Sequence, residues 1–214
     1  MDISWLGHAS FKIKGKVASL VTDPFDPKIG YKFPKVEADI VTVTHSHFDH
    51  NAVGEVGGEP FVVSGAGEYE IKGVSIVGVD SFHDDRRGEE RGRNTIYNIQ
   101  MDGVNIAHLG DLGQSSLTTA QIEELGNIDI ALVPVGGFFT IDASDAAKIV
   151  AQLEPKIVVP MHYADGVVQI KELEGVDKFL KEMAKDSVEK LPKLSVSAEK
   201  LPEELQVILL EKVG

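Results

Sequence analysis

The 214-residue chain contains no cysteine. Disulfides, thiolate metal ligands and a cysteine nucleophile are thereby excluded, and any metal must be held by nitrogen and oxygen donors. Positive charge is scarce: 21 Lys and Arg stand against 34 Asp and Glu, a net charge of −13. Such a balance speaks against a nucleic-acid-binding surface, which needs a basic field. No apolar run approaches the ~20 residues of a membrane-spanning helix, so no membrane insertion is expected. The start, Met1-Asp2-Ile3-Ser4-Trp5, has neither the basic nor the apolar region of a signal peptide, and a cytoplasmic enzyme is the expectation. Repeats and low-complexity tracts are also missing. What remains is ordinary for a globular chain, 43% apolar and 26% charged, with length enough for one domain over 1–214 and a sizeable core.

The richest stretch is Thr44-His45-Ser46-His47-Phe48-Asp49-His50-Asn51. Its spacing, H-x-H-x-D-H, follows the β-branched run Asp39–Val43, which reads as a buried strand. Imidazole and carboxylate are the donors that borderline divalent metals prefer. His45 and His47 are two apart, so in extended backbone they point the same way and can grip one metal. Asp49 and His50 come after the turn and can face a second.

Along the chain, strands are expected at Ile3–Leu6, Ser10–Lys14, Lys16–Thr22, Phe61–Ser64, Glu68–Lys72 and Val74–Phe82. A hairpin spans Thr95–Met101 and Val104–Leu109 around Asp102-Gly103. Lys28–Val36 reads as a loop that could overhang a site. Thr118 to Gln121 is a capping box, and Asp142 or Ser144 caps a helix with Ala146, Val150 and Leu153 on one face. Further strands are read at Asp129–Val135, Lys156–Pro160 and Leu205–Leu210, with a helix at Gly175–Lys185. Strand and helix alternate here, which indicates an α/β layer. His83, Asp111 and His162 all fall at strand ends, as His45 to His50 do, and strand ends of one sheet share an edge.

The H-x-H-x-D-H stretch resembles the signature of the metallo-β-lactamase superfamily of hydrolases. The likeness continues in Gly7-His8-Ala9-Ser10-Phe11, Thr22-Asp23-Pro24-Phe25, Ser81-Phe82-His83, His108-Leu109-Gly110-Asp111-Leu112-Gly113 and Pro160-Met161-His162-Tyr163. Together these motifs look like the ascorbate-6-phosphate lactonase-like branch, over about residues 1–165; residues 166–214 carry no motif and would complete the fold with a helix and a strand. The resemblance implies an α/β fold, a four-layer αββα sandwich with a one- or two-metal site on one edge. It implies that His45, His47 and His83 hold one ion, that Asp49, His50 and His162 hold the other, and that Asp111 bridges them. His108 competes with His83 for the third histidine position; the family's strand-to-loop placement favours His83. Asp23 would brace the histidine loop.

The activity so implied is that of a metal-dependent hydrolase with a metal-activated water, acting on a small ester, a lactone or phosphodiester, phosphorylated or not. Two divalent ions, Zn²⁺ or Mn²⁺ ahead of iron, are the expected cofactors. Asp49 and His108 are the candidate proton-transfer groups. Arg93 and Asn94, where a charged loop re-enters a strand, are candidates to bind substrate phosphate, with His8 and Tyr163 also facing substrate. The other reading is a non-hydrolytic diiron redox, oxygen-handling or metal-binding protein. The expected partner is a small-molecule substrate, with assembly into a homo-oligomer left open.

Overall fold

Alternation along the first strands sorts their side chains between two apolar clusters. In a computed structural model, which describes residues 1–186 and 188–213, Leu20 and Ile40 face the main core, while their neighbours Val21 and Val41 face a second, smaller one. These strands belong to a six-stranded sheet with the order Leu194–Ser195, Asp2–Gly7, Ser10–Lys14, Ser19–Thr22, Ile40–Val43, Phe61–Ser64. A seven-stranded sheet lies against it, ordered Gln206–Val207, Ile157–Met161, Ile130–Pro134, Val104–His108, Arg93–Met101, Val74–Phe82, Gly67–Ile71. Ile130–Pro134 and Ile157–Met161 are buried at every position, as parallel strands covered on both faces are.

The helices Thr119–Leu125, Ala143–Leu153 and Asp177–Glu182 contribute to the main core. The first carries the expected capping box on Thr118 and Gln121. Asp142, rather than Ser144, caps the second by accepting from the Asp145 amide at 2.9 Å. Ala143, Ala146, Ile149, Val150 and Leu153 form its buried stripe. Among the described residues the layer covering the outside of the six-stranded sheet contains no α-helix. Phe25, Ile29, Tyr31 and Phe33, from a 3₁₀ turn and loops, and Val56, from the short strand Val56–Gly57, pack on Leu6, Val21, Val41 and Val43. The 28–36 segment is therefore a cover for the sheet and not an overhang. It does prop a neighbour of the site, because Ile29 O accepts from Gln169 N at 2.8 Å.

Most strand boundaries shift by one or two residues from the sequence reading, and three differences are larger. The strand expected from Lys16 begins at Ser19, because Gly15 N bonds Ala18 O at 2.9 Å and closes a turn first. The last strand is divided: Gln206–Val207 pairs with Ile157 and Val158, and Leu209–Leu210 pairs with Lys190–Leu191. The third helix is shorter than 175–185. The Asp102-Gly103 turn is as expected, with both residues at positive φ.

The topology also places a site. Ser19–Thr22, Ile40–Val43 and Phe61–Ser64 run parallel, as do Val104–His108, Ile130–Pro134 and Ile157–Met161. Loops beyond the carboxyl ends of parallel strands are where α/β sheets hold ligands. Among the described residues no helix is long and apolar enough to cross a membrane.

Candidate metal centre

His8 follows the strand Asp2–Gly7, Asp23 follows Ser19–Thr22, and His45 to His50 follow Ile40–Val43. From the other sheet, His83 follows Val74–Phe82, Asp111 follows Val104–His108, and His162 follows Ile157–Met161. Three of these residues hold left-handed backbone: His8 at φ 53°, Asp23 at φ 37° and His162 at φ 52°. Non-glycine residues pay strain there, and such strain concentrates at functional sites. The turns are tied to one another: His162 N donates to His8 O at 3.2 Å, and Trp5 Nε1 donates to the same oxygen at 2.9 Å.

The donors form two groups. His45, His47 and His83 bring one ligand atom each within 4.8 Å of one another, and so do His8, Asp49, His50 and His162. Asp111 stands between them. Its Oδ2 is 3.2 Å from His83 Nε2 and 3.3 Å from His162 Nε2, and its Oδ1 is 3.2 Å from His50 Nε2. Gly110, at φ 56°, makes this approach available: a Cβ there would lie 2.4 Å from Asn94 Oδ1 and 2.7 Å from Thr44 Cβ.

Asp23 sits beneath the histidine loop and is fully buried. It accepts from Thr44 N at 2.8 Å, from Thr44 Oγ1 at 2.6 Å and from His50 Nδ1 at 2.7 Å. His50 Nδ1–H donates to Asp23, so Nε2 is the nitrogen left facing Asp111 and Asp49. His45 Nε2, His50 Nε2 and Asp111 Oδ1 are buried without a well-formed hydrogen bond among the described residues. Nitrogen and carboxylate oxygen crowded together in a buried place are stabilised by a cation between them, and the residues present fit divalent metal.

The titration of the cluster follows the same geometry. Burial opposes charge on His50, but Asp111 and Asp23 outweigh it and raise its pKa well above the ordinary value. Burial lowers His45 to about 3 and His8 to about 4, helped by His50 and His162 respectively. Burial works against ionised Asp111, yet His162 and His50 hold its carboxyl well below the usual range. Without metal, His8 and His45 are thus held neutral, Asp111 is held ionised and His50 keeps a proton between Asp111 and Asp23; a bound cation would take that proton's place.

Four residues are placed differently from the sequence reading. His108 does not reach the centre: it is buried, donates Nε2–H to Ala9 O at 2.8 Å and packs edge-on against Phe11. It is neither a ligand nor placed for proton transfer. Asn94 is buried below the Gly110-Asp111 turn, donating to Ser81 Oγ and Leu109 O and accepting from Asp111 N at 3.0 Å. It holds the turn and does not meet substrate. Arg93 projects outward, its side chain 77% exposed and 3.6 Å from Asp80. Tyr163 stacks on Trp5 in the core. Conversely, His8 lies in the second donor group, with Nε2 3.2 Å from Asp49 Oδ2.

A cavity of about 380 Å³ opens over the donors, lined by His47, Phe48, Asp49, His83, Arg91, Asp111, Phe139, His162 and Ile170. The chemistry-bearing residues in it were legible in the sequence, apart from Arg91 in place of Arg93. Phe48, Phe139 and Ile170 carry no sequence signal that separates them from other exposed apolar residues.

The two-sheet sandwich and its His/Asp cluster define a metal-dependent hydrolase of the metallo-β-lactamase fold. A family profile described as a Beta-lactamase superfamily domain matches residues 2–162. The chain is 36% identical to a UPF0173 metal-dependent hydrolase of Thermococcus kodakarensis, over 76% of this chain and 84% of that one. A Thermotoga maritima structure assigned to the Zn-dependent hydrolases of the superfamily superimposes with a TM-score of 0.81 and 38% identity, covering 98% of this chain and 97% of that one. The fold alone is shared with Igni18, a metallo hydrolase of Ignicoccus hospitalis, at TM-score 0.64 and 20% identity over 96% and 94% of the two chains. The chain belongs to the UPF0173 metal-dependent hydrolases of the metallo-β-lactamase superfamily.

Proposed function

We propose that this hydrolase works with two divalent ions, Zn²⁺ or Mn²⁺, on a small ester, either a lactone or a phosphodiester. The observation that carries the reading is the placement of Asp111 between two adjoining donor groups, His45/His47/His83 and His8/Asp49/His50/His162. The narrower likeness to the ascorbate-6-phosphate lactonase-like branch rests on the sequence motifs alone.

Ions held there would supply Lewis acidity and a water acidic enough to react near neutral pH. The chain's residues supply the rest. Among the described residues lining the cavity there is no serine or threonine, and water is the nucleophile of this reading. His45, His47 and His83 are presented by a rigid strand end and a strand-to-loop junction. Thr44 Oγ1 lies 3.0 Å from His45 Nδ1 and sets that ring. Asp49 lines the cavity, and His8 steadies its Oδ2 at 3.2 Å. In this position Oδ2 takes the proton released as water attacks and returns it to the leaving oxygen.

The test is elemental analysis of the purified protein, followed by a screen of lactones and phosphodiesters. Two ions per chain and turnover of one substrate class are expected. At most one tightly bound ion under saturating Zn²⁺ and Mn²⁺ would overturn the dinuclear reading.

A further inference from the structure

We infer that the cleft over the donors accepts a substrate joining an apolar group to a single anionic group, with Arg91 reading the anion. The inference deepens the ester-hydrolase reading and rests on it. It begins with the loop after His83. Asp84, beside that donor, accepts four backbone N–H bonds: from Arg86 at 2.9 Å, Gly88 at 2.7 Å, Glu90 at 3.0 Å and Arg91 at 2.8 Å. His83 N closes the loop on Gly92 O at 3.1 Å. Residues 84–92, a run of charge in the sequence, are therefore wound around one buried carboxylate. The backbone from which Arg91 springs is fixed relative to His83.

Arg91 is half-buried, and its guanidinium carbon lies 5.6 Å from the ring centroid of Phe139. Its neighbours Arg86 and Arg93 pair with Glu90 and Asp80. Among the described residues no carboxylate comes within ion-pair distance of Arg91, although the chain holds 34 acidic residues. The aromatic face compensates part of the lost hydration, and a bound oxyanion completes the rest with the paired bonds a planar guanidinium offers.

The remaining walls decide what the anion is attached to. Phe48, 55% exposed, together with Phe139 and Ile170, gives an apolar surface with nothing to satisfy the hydroxyls of a sugar. Beyond Arg91 and Phe139 the adjoining depression is lined by Asp84, Asp85, Asp142 and Asp145, which repel a second anionic group. The cavity volume, about 380 Å³, is at the small end for small-molecule sites, ~300–1,000 Å³. Carboxylate and phosphate share the oxyanion chemistry, so both belong in the test.

The experiment uses metal-loaded protein and four substrates: phenyl acetate, its analogue 3-acetoxybenzoate, 3-acetoxyphenyl phosphate and the polar 6-phosphogluconolactone. The anionic aryl esters should exceed phenyl acetate in kcat/KM by about tenfold, through KM, as one charge-assisted contact provides. Arg91→Gln should remove that ratio, and Arg91→Lys should restore part of it. Phe139→Ser should reduce kcat/KM for the aryl esters relative to 6-phosphogluconolactone. Equal kcat/KM for neutral and anionic esters, or a preference for 6-phosphogluconolactone, overturns the inference. If none of the four, nor bis(4-nitrophenyl) phosphate as a phosphodiester, is hydrolysed by protein holding two ions, the ester reading fails, and calorimetry with 3-hydroxybenzoate and 3-hydroxyphenyl phosphate examines the cleft alone. Binding that weakens about tenfold in Arg91→Gln upholds the inference, and binding indifferent to Arg91 overturns it.

Discussion

His50 Nδ1 lies 2.7 Å from Asp23 Oδ2, and both side chains are fully buried. The contact links a residue before Pro24 to the middle of the histidine loop, and it fixes which nitrogen of His50 is left for a metal. Asp23→Asn preserves size and removes the charge. The new amide can turn its NH₂ towards Nδ1, moving the imidazole proton to Nε2, where it blocks the ion. We expect metal affinity to fall about 10–100-fold with the fold intact. Chelator competition measures it; unchanged affinity would show that Asp23 braces the loop and nothing more.

Asp111 lies within 3.3 Å of residues from both donor groups, whereas His83 belongs to one. Asp111→Ala should lose both ions, since two cations would stand close together with less charge between them. His83→Ala should lose one. Metal content by elemental analysis separates these outcomes, and retention of both ions by the Asp111 variant sinks the bridging role.

His8 should behave as a donor of the second group. Replacing His8 by Ala is expected to weaken one ion about tenfold or more, on the scale of lost metal-site contacts, while the other stays bound. Titration of apoprotein with Zn²⁺ gives both affinities. Two unaltered binding steps would return His8 to a packing role on His162, whose ring centroid is 4.0 Å away.

The metal-free protein should weaken as pH falls from about 6.5 to 4. Folding lowers the pKa of His45 to about 3 and of His8 to about 4 from the ordinary 6.5. In that interval the unfolded chain takes up protons that the native state refuses, so acid favours unfolding. His50 adds no slope there: its raised pKa leaves it protonated in the native state, and its contribution is lost only as pH rises through that value. Urea midpoints at pH 7, 6 and 5 should decline in that order; a flat series would refute the assignment of neutral His8 and His45.

Neighbours in sequence should differ in kind. Asn94→Ala removes the bonds to Ser81, Leu109 and Asp111 and is expected to cost about 1–3 kcal/mol per buried group left unsatisfied. Arg93→Ala removes an exposed pair with Asp80, and thermal unfolding should barely change. The reverse order of melting temperatures would contradict the placement of Asn94 beneath the Gly110 turn.

The contrast between residues 93 and 94 shows where sequence was readable. His45, His47, Asp49 and His50 could be read because their chemistry is packed into six positions. His83, Asp111 and His162 followed because strand ends are visible as apolar runs that stop. His8 was harder, since its partner Asp49 is 41 residues away and a single histidine in a turn has no local pattern. His108 lies in a motif with Asp111, yet strand direction sends its ring to Ala9, and one strand position decides that. The two-residue strand Leu194–Ser195, which pairs with Asp2 and Ile3, is too short to show periodicity.

The donors hang from two sheets: His8, Asp23 and residues 45–50 from one, His83, Asp111 and His162 from the other. They can meet only after the sheets have docked, so the ions join contacts that form late. Interactions missing from the transition state act on the escape from the native state, with little effect on the approach to it. Loading with metal should therefore displace the unfolding arm of a chevron plot and leave the folding arm nearly where it was. What bound metal would confer on this chain is persistence, measured as a lifetime.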